Sequence, residues 1–215
     1  MAAELTVDLV NRLFREGVES VERISSSLSN RAWELPACGR WTGTQTARHL
    51  VAVARWYHEW LDRAIAGNAS PPFTASEMDQ RNDDALARIE GISGPEAIAE
   101  FVETATAYLG RATDYWNLAY GYPYGTVTVG LHCGVAAAEW HLHAWDLSHT
   151  SERRHRPQNP EALFTAAGMC LAEAKGGFGG TVLRFLVPLG ARRSPWSTIL
   201  QRSGRTPTAD TIGSG

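Results

Sequence analysis

The run Glu139-Trp140-His141-Leu142-His143-Ala144-Trp145-Asp146 decides how this chain is read. In a helix, residues four apart lie one above the other on the same face. Glu139 and His143 therefore point the same way, one turn apart. A carboxylate and an imidazole at that spacing are two ready ligands for a divalent metal such as zinc. Asp146 follows three residues later, near enough in azimuth to support an imidazole from behind. Taken alone the pair is weak evidence, because an i,i+4 Glu–His pair is more often a surface ion pair than a metal site. Two ligands do not hold an ion, so the reading turns on where a third comes from.

Working outward, Thr128 can cap the helix that carries this run, and its apolar residues lie all round it. That is the mark of a central helix with several neighbours. Four long helices are predicted before Ser148. The first covers Glu4 to Leu28 on a stripe of Leu5, Leu9, Leu13, Val18, Val21, Ile24 and Leu28. The second opens on a capping box, Thr42 with Gln45, and continues to about Ala66. The third opens on Ser93 with Glu96, with Pro95 in its first turn, and ends near Trp116. A weaker helix is expected over Ser76 to Ile89. Asn30 to Arg40, Gly67 to Thr74 and Asn117 to Thr126 read as loops. Beyond Ser148, Asn159-Pro160 begins a helix to Lys175, and the glycines at 176, 177, 179 and 180 break it. Val182 to Leu189 is strand-like and Trp196 to Arg202 gives one or two helical turns. The expectation is an all-α fold: a helical bundle over residues 1–150, a C-terminal helix and extension over 151–207, and a disordered tail over 208–215.

His49 is the natural third ligand. It lies in the second turn of its helix. At about 100° per residue, Val53, Trp56 and Trp60 fall near its azimuth, so a polar head runs into aromatic packing. Two donors from one helix and one from another leave a fourth position open, as catalytic zinc sites require. The plainer reading of such a residue is a satisfied core histidine.

The pattern Trp41-Thr42, His49-Leu50 and Glu139-x3-His143-x2-Asp146-Leu147 resembles the DinB-like superfamily, and within it the mycothiol-dependent maleylpyruvate isomerase family. The closing run Leu200-Gln201-Arg202-Ser203-Gly204-Arg205-Thr206-Pro207 resembles the "GRxP" ending of many members. The resemblance implies a metal-binding four-helix bundle with His49, Glu139 and His143 as ligands to a divalent metal, usually zinc. It also implies mycothiol as the thiol cosubstrate, and an isomerase or a thiol S-transferase. Members often carry an arginine one turn before the glutamate; Ala136 stands there in this chain.

Two further residues are candidates for catalysis. His132, seven before Glu139, falls on the same face two turns away and could be a proton shuttle or substrate contact; a capping or rim histidine is the plainer reading. Arg81 is a candidate anion clamp or an exposed surface residue. His141 and His58 face away from the ligand set, toward solvent or other helices. Cys133 would need an electropositive setting to act as a nucleophile.

Composition bounds the rest. The chain has 215 residues, 44% hydrophobic, with a net charge of -3, which gives no reason to expect nucleic acid or an anionic membrane. No run approaches the roughly 20 apolar residues a membrane span needs, and Met1 to Phe14 does not read as a signal peptide. Three unevenly spaced cysteines suggest a reducing cytosol. Lys175 is the one lysine, and an arginine bias fits a GC-rich, actinobacterial source. The expected partners are a small-molecule substrate and a thiol, in a cytoplasmic monomer or homodimer. Two other readings stand beside this one: a thiol-independent, metal-dependent hydrolase or lyase, and a non-catalytic, metal-stabilised binding protein.

Overall fold

The computed structural model describes residues 6–151, 154–174 and 194–206. The glycine break at 176–180, the strand-like piece Val182 to Leu189 and the tail from 208 lie outside them. What is described is all-α apart from two small hairpins.

Helix α1 spans Val7–Ser25, with Thr6 accepting a hydrogen bond from the Leu9 amide as its cap. It stops three residues short of the expected Leu28. Ser25, Ser26 and Ser27 turn their hydroxyls back onto the carbonyls of Glu22, Arg23 and Ile24, which competes with continued helix. Leu28 still packs on the core, so the apolar stripe outlasts the helix. The expected loop after it contains a single turn, α2 (Asn30–Trp33), and a hairpin of β1 (Pro36–Cys38) and β2 (Trp41–Thr42) that turns at Gly39, where φ is 56°.

Helix α3 (Gly43–Ile65) starts at the predicted Thr42–Gln45 capping box. A short 3-10 turn, Ala75–Glu77, leads into α4 (Met78–Arg88), and the Ser93–Glu96 box starts α5 (Gly94–Asp114). The tyrosine- and glycine-rich stretch read as a loop is a second hairpin, β3 (Ala119–Tyr122) with β4 (Gly125–Thr128). Its strands hide their pattern, since Tyr120, Gly121 and Tyr122 are all buried and no alternation survives. At Gly121 a Cβ would come within 2.2 Å of the Ser70 carbonyl oxygen, so only glycine lets the Gly67–Thr74 loop cross there. Helix α6 (Val129–Ser148) is capped by Thr128, α7 spans Pro160–Ala174, and α8 spans Pro195–Arg202.

Helices α1, α3, α5 and α6 form the bundle, with α6 against α1, α3 and α5; α7 lies on α6, and α8 on α7. Trp140 on α6 is wholly buried, edge-on to Phe14 and Phe101. Gly17 admits it: a Cβ there would lie 2.8 Å from that of Trp140. Burying rings of this size contributes roughly 2–3 kcal/mol each, and the same packing fixes the azimuth of α6. Among the described residues no helix is long and apolar enough to cross a membrane.

The bundle also buries neutral histidines. His141 places Nε2 3.2 Å from the Leu13 carbonyl and Nδ1 2.9 Å from His155 Nε2. It therefore makes interhelix contacts and none with solvent. Burial pulls His141 down to about 4 and His155 to about 3, and His132, also buried, to about 3. Unfolded imidazoles titrate near 6.5. Between pH 6.5 and 4 these three sites therefore bind more protons in the unfolded chain than in the folded one, so their contribution to stability is full above this window and is lost as acid is added. Replacing His155 by Phe should flatten that decline by about 1.4 kcal/mol per pH unit, read from denaturant unfolding at pH 5 and 6.

Candidate metal centre and its cavity

Packing of α3 against α6 brings the second turn of α3 opposite the middle of α6. His49 Nε2 lies 3.8 Å from Glu139 Oε1, and the His49 and His143 rings meet edge-on with centroids 5.0 Å apart. One donor atom from each of His49, Glu139 and His143 lies within 4.8 Å of the other two. Trp41 of β2 covers the His49 ring at 4.6 Å.

Each of the α6 donors is held from behind. The Tyr57 hydroxyl donates to Glu139 Oε2, which leaves Oε1 toward His49. His143 Nδ1 lies 2.9 Å from Asp146 Oδ2; an N–H donated to that carboxylate turns Nε2 toward the cluster. Asp146, only 2% exposed, also accepts from Arg205 through Nε at 2.7 Å and through Nη2. Arg205 follows α8, and its Nη2 also lies 3.7 Å from Cys38 Sγ on β1. The segment after α8 thus reaches back to grip the support of a residue in α6.

Electrostatics follow from this geometry. Burial, then the charge of His143, hold His49 well below its ordinary value, so it is a neutral donor. Burial opposes charge on His143 too, but Asp146 and Cys38 outweigh it and lift the imidazole to about 9. Burial would raise the Asp146 carboxyl; Arg205 and His143 overcome that and hold it well below the usual carboxylate range. Burial raises Glu139 against the opposing pull of His143 and the Tyr57 hydrogen bond.

The cluster fits a divalent cation. Two imidazoles and a carboxylate are a zinc-type donor set, and His49 Nδ1 is buried with no hydrogen-bond partner among the described residues. A second group, Cys38 with His143 and Asp146, is equally tight, but its carboxylate is already paired with the Arg205 guanidinium, whose charge opposes a cation.

The His49, Glu139 and His143 side chains open onto a cavity of about 380 Å³. Its walls come from α3, α4, α6, the second hairpin, α7, α8 and the segment after α8. Val53, Trp56 and Trp60, expected on the His49 face, all line it. The structure leaves both other candidates outside. His132 is fully buried behind Tyr57, its ring 4.3 Å from that ring and its Nδ1 3.0 Å from the Tyr108 hydroxyl; aromatic packing shuts it off from the cavity. Arg81 sits over Phe73 at 5.5 Å and 3.7 Å from Glu77, in a separate groove with Arg63 and Arg88. Cys133 is buried, and desolvation pushes its thiol up to about 12, against a nucleophilic role. His58 bridges Thr104 and Arg111 between α3 and α5. Sequence reasoning missed Tyr57, Cys38 and the role of Arg205.

These features define a class: an all-α, DinB-like bundle with a candidate metal centre between two of its helices. The mycothiol maleylpyruvate isomerase N-terminal domain family matches residues 14–148, and the chain belongs to that family. Among solved structures it is similar to the mycothiol-dependent maleylpyruvate isomerase, at 19% identity and a TM-score of 0.58, over 78% of this chain and 68% of that one. A histidine-to-alanine mutant of the mycothiol-dependent maleylpyruvate isomerase gives 20% identity and a TM-score of 0.53 over the same shares. At these identities the likeness is one of fold. None of the curated proteins matches.

Removing Arg205 should leave a buried carboxylate without its cation. Arg205→Met is expected to lower unfolding stability by about 3 kcal/mol or more, and adding Asp146→Asn to that variant should restore over half of the loss. Chemical denaturation of the two variants measures both.

Proposed function

We propose that the chain is a metal-dependent enzyme that uses a low-molecular-weight thiol of the mycothiol type, in the cytoplasm. It either isomerises a small electrophilic substrate or transfers the thiol to it. The observation that carries this reading is the convergence of His49, Glu139 and His143 at the wall of a cavity, in a chain of this family.

His49, Glu139 and His143 would hold the cation. A bound divalent ion would lower the pKa of a thiol and favour the reactive thiolate. The chain's own residues prepare the site for it. Asp146 fixes the ring of His143, and Arg205 fixes Asp146. The Tyr57 hydroxyl holds one oxygen of Glu139, so the other keeps its direction. The apolar wall of Val53, Trp60 and Leu142 restricts water around the reacting sulfur. In isomerisation the sulfur adds to a conjugated double bond, the resulting single bond turns, and the same sulfur leaves as the double bond re-forms. In transfer the carbon–sulfur bond stays: on addition to a double bond the thiol proton ends on the neighbouring carbon, and on substitution it departs with the leaving group as its conjugate acid.

The test joins metal analysis to thiol dependence. The purified protein should carry about one zinc-class ion, lost on replacing His49 or His143 by Ala with the fold retained by circular dichroism. Turnover of a conjugated electrophile should require added mycothiol. Turnover without any thiol would favour a hydrolase or lyase instead. Metal retained in both variants would remove the proposed centre.

A further inference from the structure

We propose that the acceptor substrate of this site is a compound with an aromatic ring. This rests on the thiol-dependent reading above and concerns the part of the cavity away from the three donors.

That part is built from aromatic faces. Trp56 and Trp60 of α3 lie nearly parallel, 14° apart, with centroids separated by 6.0 Å. Phe73 stands edge-on to both at 5.7 Å and fixes their tilt. Tyr122 and Tyr124 of the second hairpin meet at 5.4 Å, and Phe164 of α7 adds a further ring. Among the described residues Tyr124 is 40% exposed and Trp56 and Phe164 are half-buried, while Trp60 and Tyr122 are buried. Rigid, uncovered aromatic surface around a concave site is what an aromatic ligand needs: offset or edge-to-face partners already in position.

The two arginines among the described lining residues are already engaged within the chain, which leaves the aromatic faces as the main surface offered to a ligand. A carboxylate taken out of water needs a cation or several donors. Arg205 gives Nε and Nη2 to Asp146 and Nη1 to the Ser203 carbonyl. Arg202 lies over the Phe164 ring at 5.2 Å. Helix α6 brings no arginine or lysine: Ala136 is buried in the core, and its neighbour Val135 is the residue that faces the cavity one turn before Glu139. Around the donors α6 therefore presents Val135, Ala138 and Leu142.

The test measures binding without thiol, on the metal-loaded full chain, by isothermal titration. The probes are 1,3-dinitrobenzene, which has an aromatic ring and no leaving group, and maleate. Dinitrobenzene should bind, and maleate should not displace it. Trp56→Ala should weaken the aromatic probe roughly tenfold, and Trp56→Phe, which keeps a ring, should recover most of that. Trp56 is half-buried, so both variants are expected to fold, and Tyr124→Ala at the exposed rim should weaken the probe in the same direction. No binding of dinitrobenzene, displacement by maleate, or equal binding by the Ala and Phe variants would overturn the proposal. Because no thiol is present, a chain that binds the aromatic probe but never consumes thiol would sink only the earlier reading.

Discussion

Asp146 is the point on which the site turns. A carboxylate with 2% of its surface exposed stays ionised only where cations surround it, and here a guanidinium grips it from one side and an imidazole from the other. The arrangement does two jobs through one group. It orients His143 toward His49 and Glu139, and it pins the end of the described chain, at Arg205, to the central helix. Breaking either contact leaves an unpaired buried charge, so the two are coupled: a well-directed donor and a docked C-terminal segment come together or not at all.

The bundle makes that economy possible. Trp140 seats α6 against α1 at Gly17, where no side chain stands in the way, and this sets the rotation of α6. With the rotation fixed, Glu139 and His143 turn toward α3, while His141 turns to the Leu13 carbonyl and His155. Alternate histidines on one helix thus receive opposite environments from packing alone. One is lifted by a carboxylate and the other is kept neutral by burial.

Much of this was legible in the chain before any coordinates. Capping boxes at Thr42 and Ser93 marked helix starts that the structure keeps, because a cap is a local hydrogen-bond pattern that needs no tertiary help. The i,i+4 spacing of Glu139 and His143 marked a shared face for the same reason. The hairpins were hidden, since their residues are too few and too uniformly buried to alternate. His132 and Arg81 lie away from the cavity for one physical cause: azimuth on a helix says which way a residue points but not what lies in front of it. Tyr57 stands between His132 and the cavity, and Phe73 draws Arg81 into another groove. Arg205 was quoted as part of a closing motif, yet its partner is 59 residues away in sequence, a contact only the fold can make.

The family match ends at residue 148, and this divides the site by origin. All three donors, Tyr57 and Asp146 lie inside the matched region. Phe164, Ile199, Arg202 and Arg205 lie beyond it, and they close the cavity from the side of α7 and α8. The donor cluster is set by helix spacing and packing within the bundle, which leaves little freedom to vary. The opposite wall comes from α7, which packs closely on α6 where Gly134 meets Ala166, and from α8 and the segment after it, which Arg205 ties to Asp146. The aromatic lining of the cavity crosses that boundary: Trp56, Trp60, Tyr122 and Tyr124 lie within the matched region beside the donors, and Phe164 faces them from beyond it.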